Sequence, residues 1–205
     1  MFHKPVFYSA VRRSIFGRLS EGQVFGMEAI LDSWLARPAL TDDRWLAYML
    51  ATAAHETAKT MQPVRETLAA SDDAAIRILD KAFAKGRLPW VKTPYWRRDS
   101  DGKTWLGRGL VQLTHKANYI KLSRQIGTDL VADPDRAMDL DIAVTIMFDG
   151  MMFGLFTGHR LADHFDGEQE DPVSARMIIN GTESAMTVAR LYLQFKEAIK
   201  GARKG

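Results

Sequence analysis

At 205 residues, with 46% apolar and 26% charged side chains, the chain has the size and mix of one soluble globular domain, which excludes a disordered polymer or a scaffold needing staples. It contains no cysteine, so disulfides and thiolate metal sites are excluded, and its net charge of +3 favours anionic partners too weakly to choose between nucleic acid, lipid and wall polymer. No apolar run with a small-residue cleavage site marks a signal peptide, and Ile142 to Phe156, broken by Asp149, Gly150 and Gly154, is too short for a membrane span.

Residues 5 to 37 carry apolar side chains at helical spacing, and Gly17 with Ser20-Glu21-Gly22 divides them into two helices, the first bearing Arg12, Arg13 and Arg18 on a solvated face. Pro38 ends that unit. Thr41-Asp42-Asp43 supplies an N-cap and first-turn negative charge for a helix that begins near Trp45 and is expected to stop near Met61, because Pro63 disfavours helical geometry at Gln62. Ser71-Asp72-Asp73 caps a helix from Ala74 to Ala84, ended by Gly86.

From Leu88 to Thr114 the aromatics Trp90, Tyr95, Trp96 and Trp105 alternate with Lys92, Arg97, Arg98 and Lys103. Asp101-Gly102 signals a hairpin whose flanks form a small antiparallel sheet. This mixture fits a groove for a sugar polymer or a packed hairpin with exposed charges. GRGLVQLTHKANY then makes a tight corner into a helix. Asp133-Pro134 opens another helix, Leu140 to Phe153 is a buried one, and Gly154 to Gly167 is loop with short helical turns. Ala175 to Ile179 follows Pro172 and Ser174, an amphipathic helix spans Ala185 to Lys200, and the tail GARKG is expected to fray.

The chemistry concentrates in WLAYMLATAAHETAKTMQPVRE. At about 100° per residue Glu56 falls among Trp45, Leu46, Met49 and Ala53, an ionisable group on an apolar face. In one continuous helix Glu56 and Glu66 would stand about 15 Å apart, so the break at Pro63 is what lets the chain bring them together. A carboxyl among apolar neighbours keeps its proton and suits a general acid, while Glu66, beside Arg65, suits an ionised base. The other reading of Glu56 is a structural glutamate buried against an arginine or a helix N-terminus.

AHETA at 54–58, GRGLVQLTHKANY at 107–119, DP at 133–134 and IING at 178–181 together resemble the landmarks of glycoside hydrolase family 19, which contains chitinases and phage endolysins. The resemblance runs from about Ala47 to Phe195, and the residues before about 40 are similar to the helical lead-in of phage and prophage members. It implies a mainly α, α+β, lysozyme-like bilobal domain with a small β-hairpin and a central cleft. Residues 1–40 would be a helical segment packed on a catalytic region at 41–205.

It further implies Glu56 as general acid, Glu66 as base and Thr114 as a holder of the attacking water. Gln112, Asn118 and Asn180 would bind sugar hydroxyl or N-acetyl groups, and Glu183 and Arg190 match an acidic and basic pair of the family. Ala58 and Lys59 replace a glycine common after HET, Leu110 a proline, and Thr182 a second glycine after IIN. These departures, with the absence of disulfides, favour the phage-type endolysin over a chitinase of crystalline chitin.

The expected activity is therefore inverting hydrolysis of β-1,4 bonds in peptidoglycan glycan strands, by a monomer with no cofactor, no metal, no nucleic acid and no stable membrane insertion. Such a protein is made in the cytoplasm and reaches the wall after membrane permeabilisation. A chitinase acting on N-acetylglucosamine polymers is the alternative. A zinc peptidase would need H-E-x-x-H, and Lys59 stands in the place of the second histidine, leaving His159 and His164 as the remaining pair. A noncatalytic wall- or nucleic-acid-binding module would rest on Arg12-Arg13 and Arg97-Arg98, which flank no nucleic-acid motif, and GRGLVQ lacks the glycines and lysine of a nucleotide loop.

Overall fold

Local signals set most helix starts. Pro5 lies in the first turn of α1 (Lys4–Val11), and a π-helical turn at Arg12–Phe16 ends at Gly17, whose φ of 71° suits a residue without a side chain. Ser20 and Gln23 close a reciprocal capping box on α2 (Glu21–Leu35). Asp42 accepts from Arg44 N to open α3 (Asp43–Glu56), and Ser71 accepts from Ala74 N to open α4 (Asp72–Ala84). The chain continues through α5 (Lys116–Ile126), a 3-10 turn at Pro134–Met138, α6 (Leu140–Phe153), a 3-10 turn at Ser174–Ile178, and α7 (Ala185–Lys204). A computed structural model describes residues 1–204 in these terms.

The protein is mainly helical, with two small antiparallel pairings of two-residue strands. β1 (Val64–Arg65) pairs with β2 (Arg108–Gly109), Val64 opposite Gly109, and β3 (Phe165–Asp166) turns through Gly167 onto β4 (Gln169–Glu170). At Asp101-Gly102 the expected turn forms, Gly102 N donating to Asp99 O, but its flanks carry no strand and the sheet expected there is corrected. The final helix runs past Lys200 through Lys204, so most of the tail expected to fray is helical, and Gly205 lies outside the described residues.

Nine consecutive residues of α3, Leu46 to Ala54, are buried, making it the axis of the molecule. Its main neighbour is α7, which also receives α1, while α2, α5 and α6 complete the shell. Phe7, Val11, Met27, Ile30 and Trp34 of the N-terminal helices belong to this same core. A second, small cluster of Ala75, Leu79, Trp96 and Leu106 lies under α4, and the gap between the two clusters is the cleft. Among the described residues, no helix is long and apolar enough to cross a membrane.

Candidate active site

Glu56 is the last residue of α3, not a mid-helix residue. Helix α3 was expected to reach Met61, and it ends five residues sooner because Thr57 closes it: its hydroxyl donates to Ala53 O and accepts from Met61 N, while Lys59 N donates to Ala54 O. The chain then passes through Ala58, Lys59 and Met61 at φ 49°, 66° and 56°, conformations unusual for side-chain-bearing residues. Pro63 therefore follows a reversal that Thr57 has already made.

The surroundings of Glu56 differ from the expected apolar face. Its side chain is 12% exposed, and Arg176, more deeply buried at 7%, donates to its Oε1 at 2.5 Å from the 3-10 turn at Ser174–Ile178. Two readings of Glu56 thus merge, because a carboxylate buried against an arginine also opens into the cleft. The neighbouring His55 is half-buried, and burial, with Arg176 adding to it, holds its pKa below the usual value against the pull of Glu56.

Glu66 comes from the other side. Its backbone N donates to Gly107 O at 2.7 Å, and Gly107 N returns a bond to Oε2 at 2.7 Å. Tyr95 O–H donates to Oε1 at 2.7 Å, and burial, then the Glu66 charge, keep this phenol protonated far above its usual range. These two donors fix the orientation of the Glu66 carboxylate. Beneath them Arg108 of the GRG motif is buried, bonded to Asp72, to Asp135 at 2.9 Å, and to Tyr119 O–H at 3.1 Å, while Arg65 spans the same two aspartates. Any side chain at Gly109, φ 88°, would stand 2.8 Å from Ala137 O. The motif is therefore the scaffold that delivers Glu66.

The cleft, about 800 Å³, is lined by Glu56, Glu66, Gln112, Thr114, Asn118 and Asn180, which brings six of the eight expected site residues together. Gln112 reaches it with φ 55°, but its amide donates to Val64 O at 2.9 Å and steadies β1. Asn118 Nδ2 donates to Thr114 O at 3.0 Å, while the Thr114 hydroxyl has no partner among the described residues. Asn180 is exposed at the rim.

Glu183 and Arg190 do not line the cleft. Glu183 contributes its backbone oxygen to Arg176 Nε at 3.2 Å, and Arg190 is exposed on α7. Arg176 is a site residue that the sequence patterns did not single out, and Tyr95, read there only as one aromatic of a groove or hairpin, proves to hold Glu66. A buried carboxylate does call for a cation, but not for a particular one. His159 and His164 have ring centroids 5.8 Å apart, beyond the cleft lining.

A protein-family model described as chitinase class I, of glycoside hydrolase family 19, matches residues 39–159, more than half of the chain. No curated protein and no solved structure matches it.

Proposed function

Because the chain belongs to glycoside hydrolase family 19, and is thus a chitinase-like glycoside hydrolase, we propose that it is an endolysin-type enzyme cutting β-1,4 bonds of peptidoglycan glycan strands by inversion. The observation that carries this reading is the placing of two carboxylates in one open cleft with opposite support: Glu56 on a buried guanidinium, Glu66 on a phenol and a backbone N–H. Family membership sets aside the noncatalytic module.

In the proposed reaction Glu56 gives its proton to the glycosidic oxygen as the bond to the anomeric carbon breaks. The donor in that step is the acid form of Glu56, and the carboxylate it leaves is the form that Arg176 binds. Glu66 takes a proton from water as its oxygen attacks the opposite face of the sugar, with Thr114 steadying the water. Inverting pairs stand about 6.5–9.5 Å apart to admit that water. Gln112, Asn118 and Asn180 hold the sugar, and no cofactor takes part.

The family description favours chitin as the second reading. Fragments from purified peptidoglycan and from soluble chitin oligomers, identified by mass, distinguish the two: new reducing ends on peptidoglycan sugars support the proposal, and cleavage of chitin alone overturns its substrate. The first-formed anomer, read by NMR, must be inverted. Glu56→Gln is expected to keep the fold and lose at least about 10²-fold in turnover, the scale of general acid catalysis. Near-normal turnover in that variant removes Glu56 from the role.

A further inference from the structure

The cations around the cleft are not equally committed. Arg176 is bound to Glu56 at 2.5 Å, Lys116 to Asp99 at 2.9 Å, Arg97 to Asp80 at 2.9 Å and Arg98 to Asp73 at 2.7 Å. Lys92 lines the cleft and is exposed, and among the described residues its ammonium has neither a carboxylate at ion-pair distance nor a hydrogen bond. Two residues earlier Trp90 lines the same cleft with 68% of its surface exposed.

An indole facing water beside a cleft is a stacking surface, whereas Trp96 of the same segment is fully buried and donates to Asp80. The segment is held by Leu88, Val91 and Tyr95 packed on the second apolar cluster and by Tyr95 O–H donating to Glu66 at 2.7 Å. The ammonium and the indole are therefore presented from a fixed edge.

Both carboxylates of the cleft already have partners, so the charge of Lys92 is available to whatever enters. Strands of N-acetylglucosamine are neutral. Peptidoglycan carries, on every second sugar, a lactyl ether that ends in a carboxylate or in an acidic stem peptide. Resting on the hydrolase reading above, we propose that Lys92 pairs with this carboxylate while Trp90 stacks on the sugar, so that this edge selects the acidic polymer over the neutral one.

The test uses the full chain as Glu56→Gln, which binds without turnover, with and without Lys92→Gln, against peptidoglycan strands, amidase-stripped strands and chitin oligomers. Loss of Lys92 is expected to lower the affinity ratio of acidic to neutral strands about threefold to fivefold, the scale of one exposed ion pair, and to flatten its salt dependence. Lys92→Glu should lower the ratio further. A fall on intact strands alone assigns the contact to the stem peptide, and a fall on stripped strands assigns it to the lactyl carboxylate. An unchanged ratio in both variants overturns the inference while leaving hydrolysis in place, and absence of turnover by the unaltered enzyme on every polymer overturns the hydrolase reading and this inference with it.

Discussion

Arg176 and Glu56 are buried to a similar degree, so removing either strands the other's charge away from water. Arg176→Ala is expected to cost about 3 kcal/mol, the lower end for breaking a buried pair. In a Glu56→Gln background the same change should cost at least about 1 kcal/mol less, because no carboxylate is stranded. Urea titration of the four proteins gives both numbers, and equal costs in the two backgrounds would show that Arg176 acts only through its bonds to the backbone. At this scale the sequence was half legible. The carboxylate stood out by its helical register with apolar residues, but no pattern named the cation that meets it, and only the fold brings Arg176 there.

Between elements, the decisive contact joins α2 to the segment that separates the two carboxylates. Gln62 Nε2 donates to Gly22 O at 2.7 Å, Gln23 Nε2 to Lys59 O at 2.9 Å, and Lys59 Nζ to Ile15 O at 3.2 Å. A Cβ at Gly26 would lie 1.7 Å from Met61 O, so this glycine lets the reversal sit directly on the helix. Gly26→Ala is expected to cost about 2 kcal/mol through overpacking and, by shifting Glu66 relative to Glu56, to slow turnover about tenfold or more. At Gly22 a Cβ would meet Gln62 Cγ at an ordinary 3.5 Å, so Gly22→Ala should be neutral or stabilising. Similar losses in the two variants, by thermal melting and steady-state rates, would refute this account.

The helix starts were legible because Ser20, Asp42 and Ser71 cap with their own side chains, a local act. The end of α3 was not, since it depends on a side-chain bond at Thr57 and on docking against α2. The strands escaped notice for a different reason. Two residues carry no period, and β1 finds β2 across more than forty residues.

For the whole molecule, acid response depends on which groups bind protons on unfolding. His164, just before β3, is buried, its Nε2 without a partner among the described residues, and burial, then the nearby His159, lower its pKa from 6.5 against the pull of Asp171 and Asp163. His55 is lowered as well, again chiefly by burial. In both cases the unfolded chain binds a proton that the folded protein refuses, so stability rises with pH in this window. Their contribution is complete above the unfolded value of about 6.5 and is lost as pH falls through the folded values. The aspartates lowered by hydrogen bonds, Asp99 through Lys116 and Asp171 through Ser174, lose their contribution only below about pH 4, so the two effects separate. The urea midpoint should therefore begin to fall as pH drops from about 6.5, before the carboxylates titrate. Replacing the histidine by a group that cannot charge, His164→Gln, should flatten the fall between about pH 6.5 and 5 while leaving the steeper loss below about pH 4. An identical slope in the two proteins across the upper window would mean that His164 is protonated as readily inside the fold as outside it.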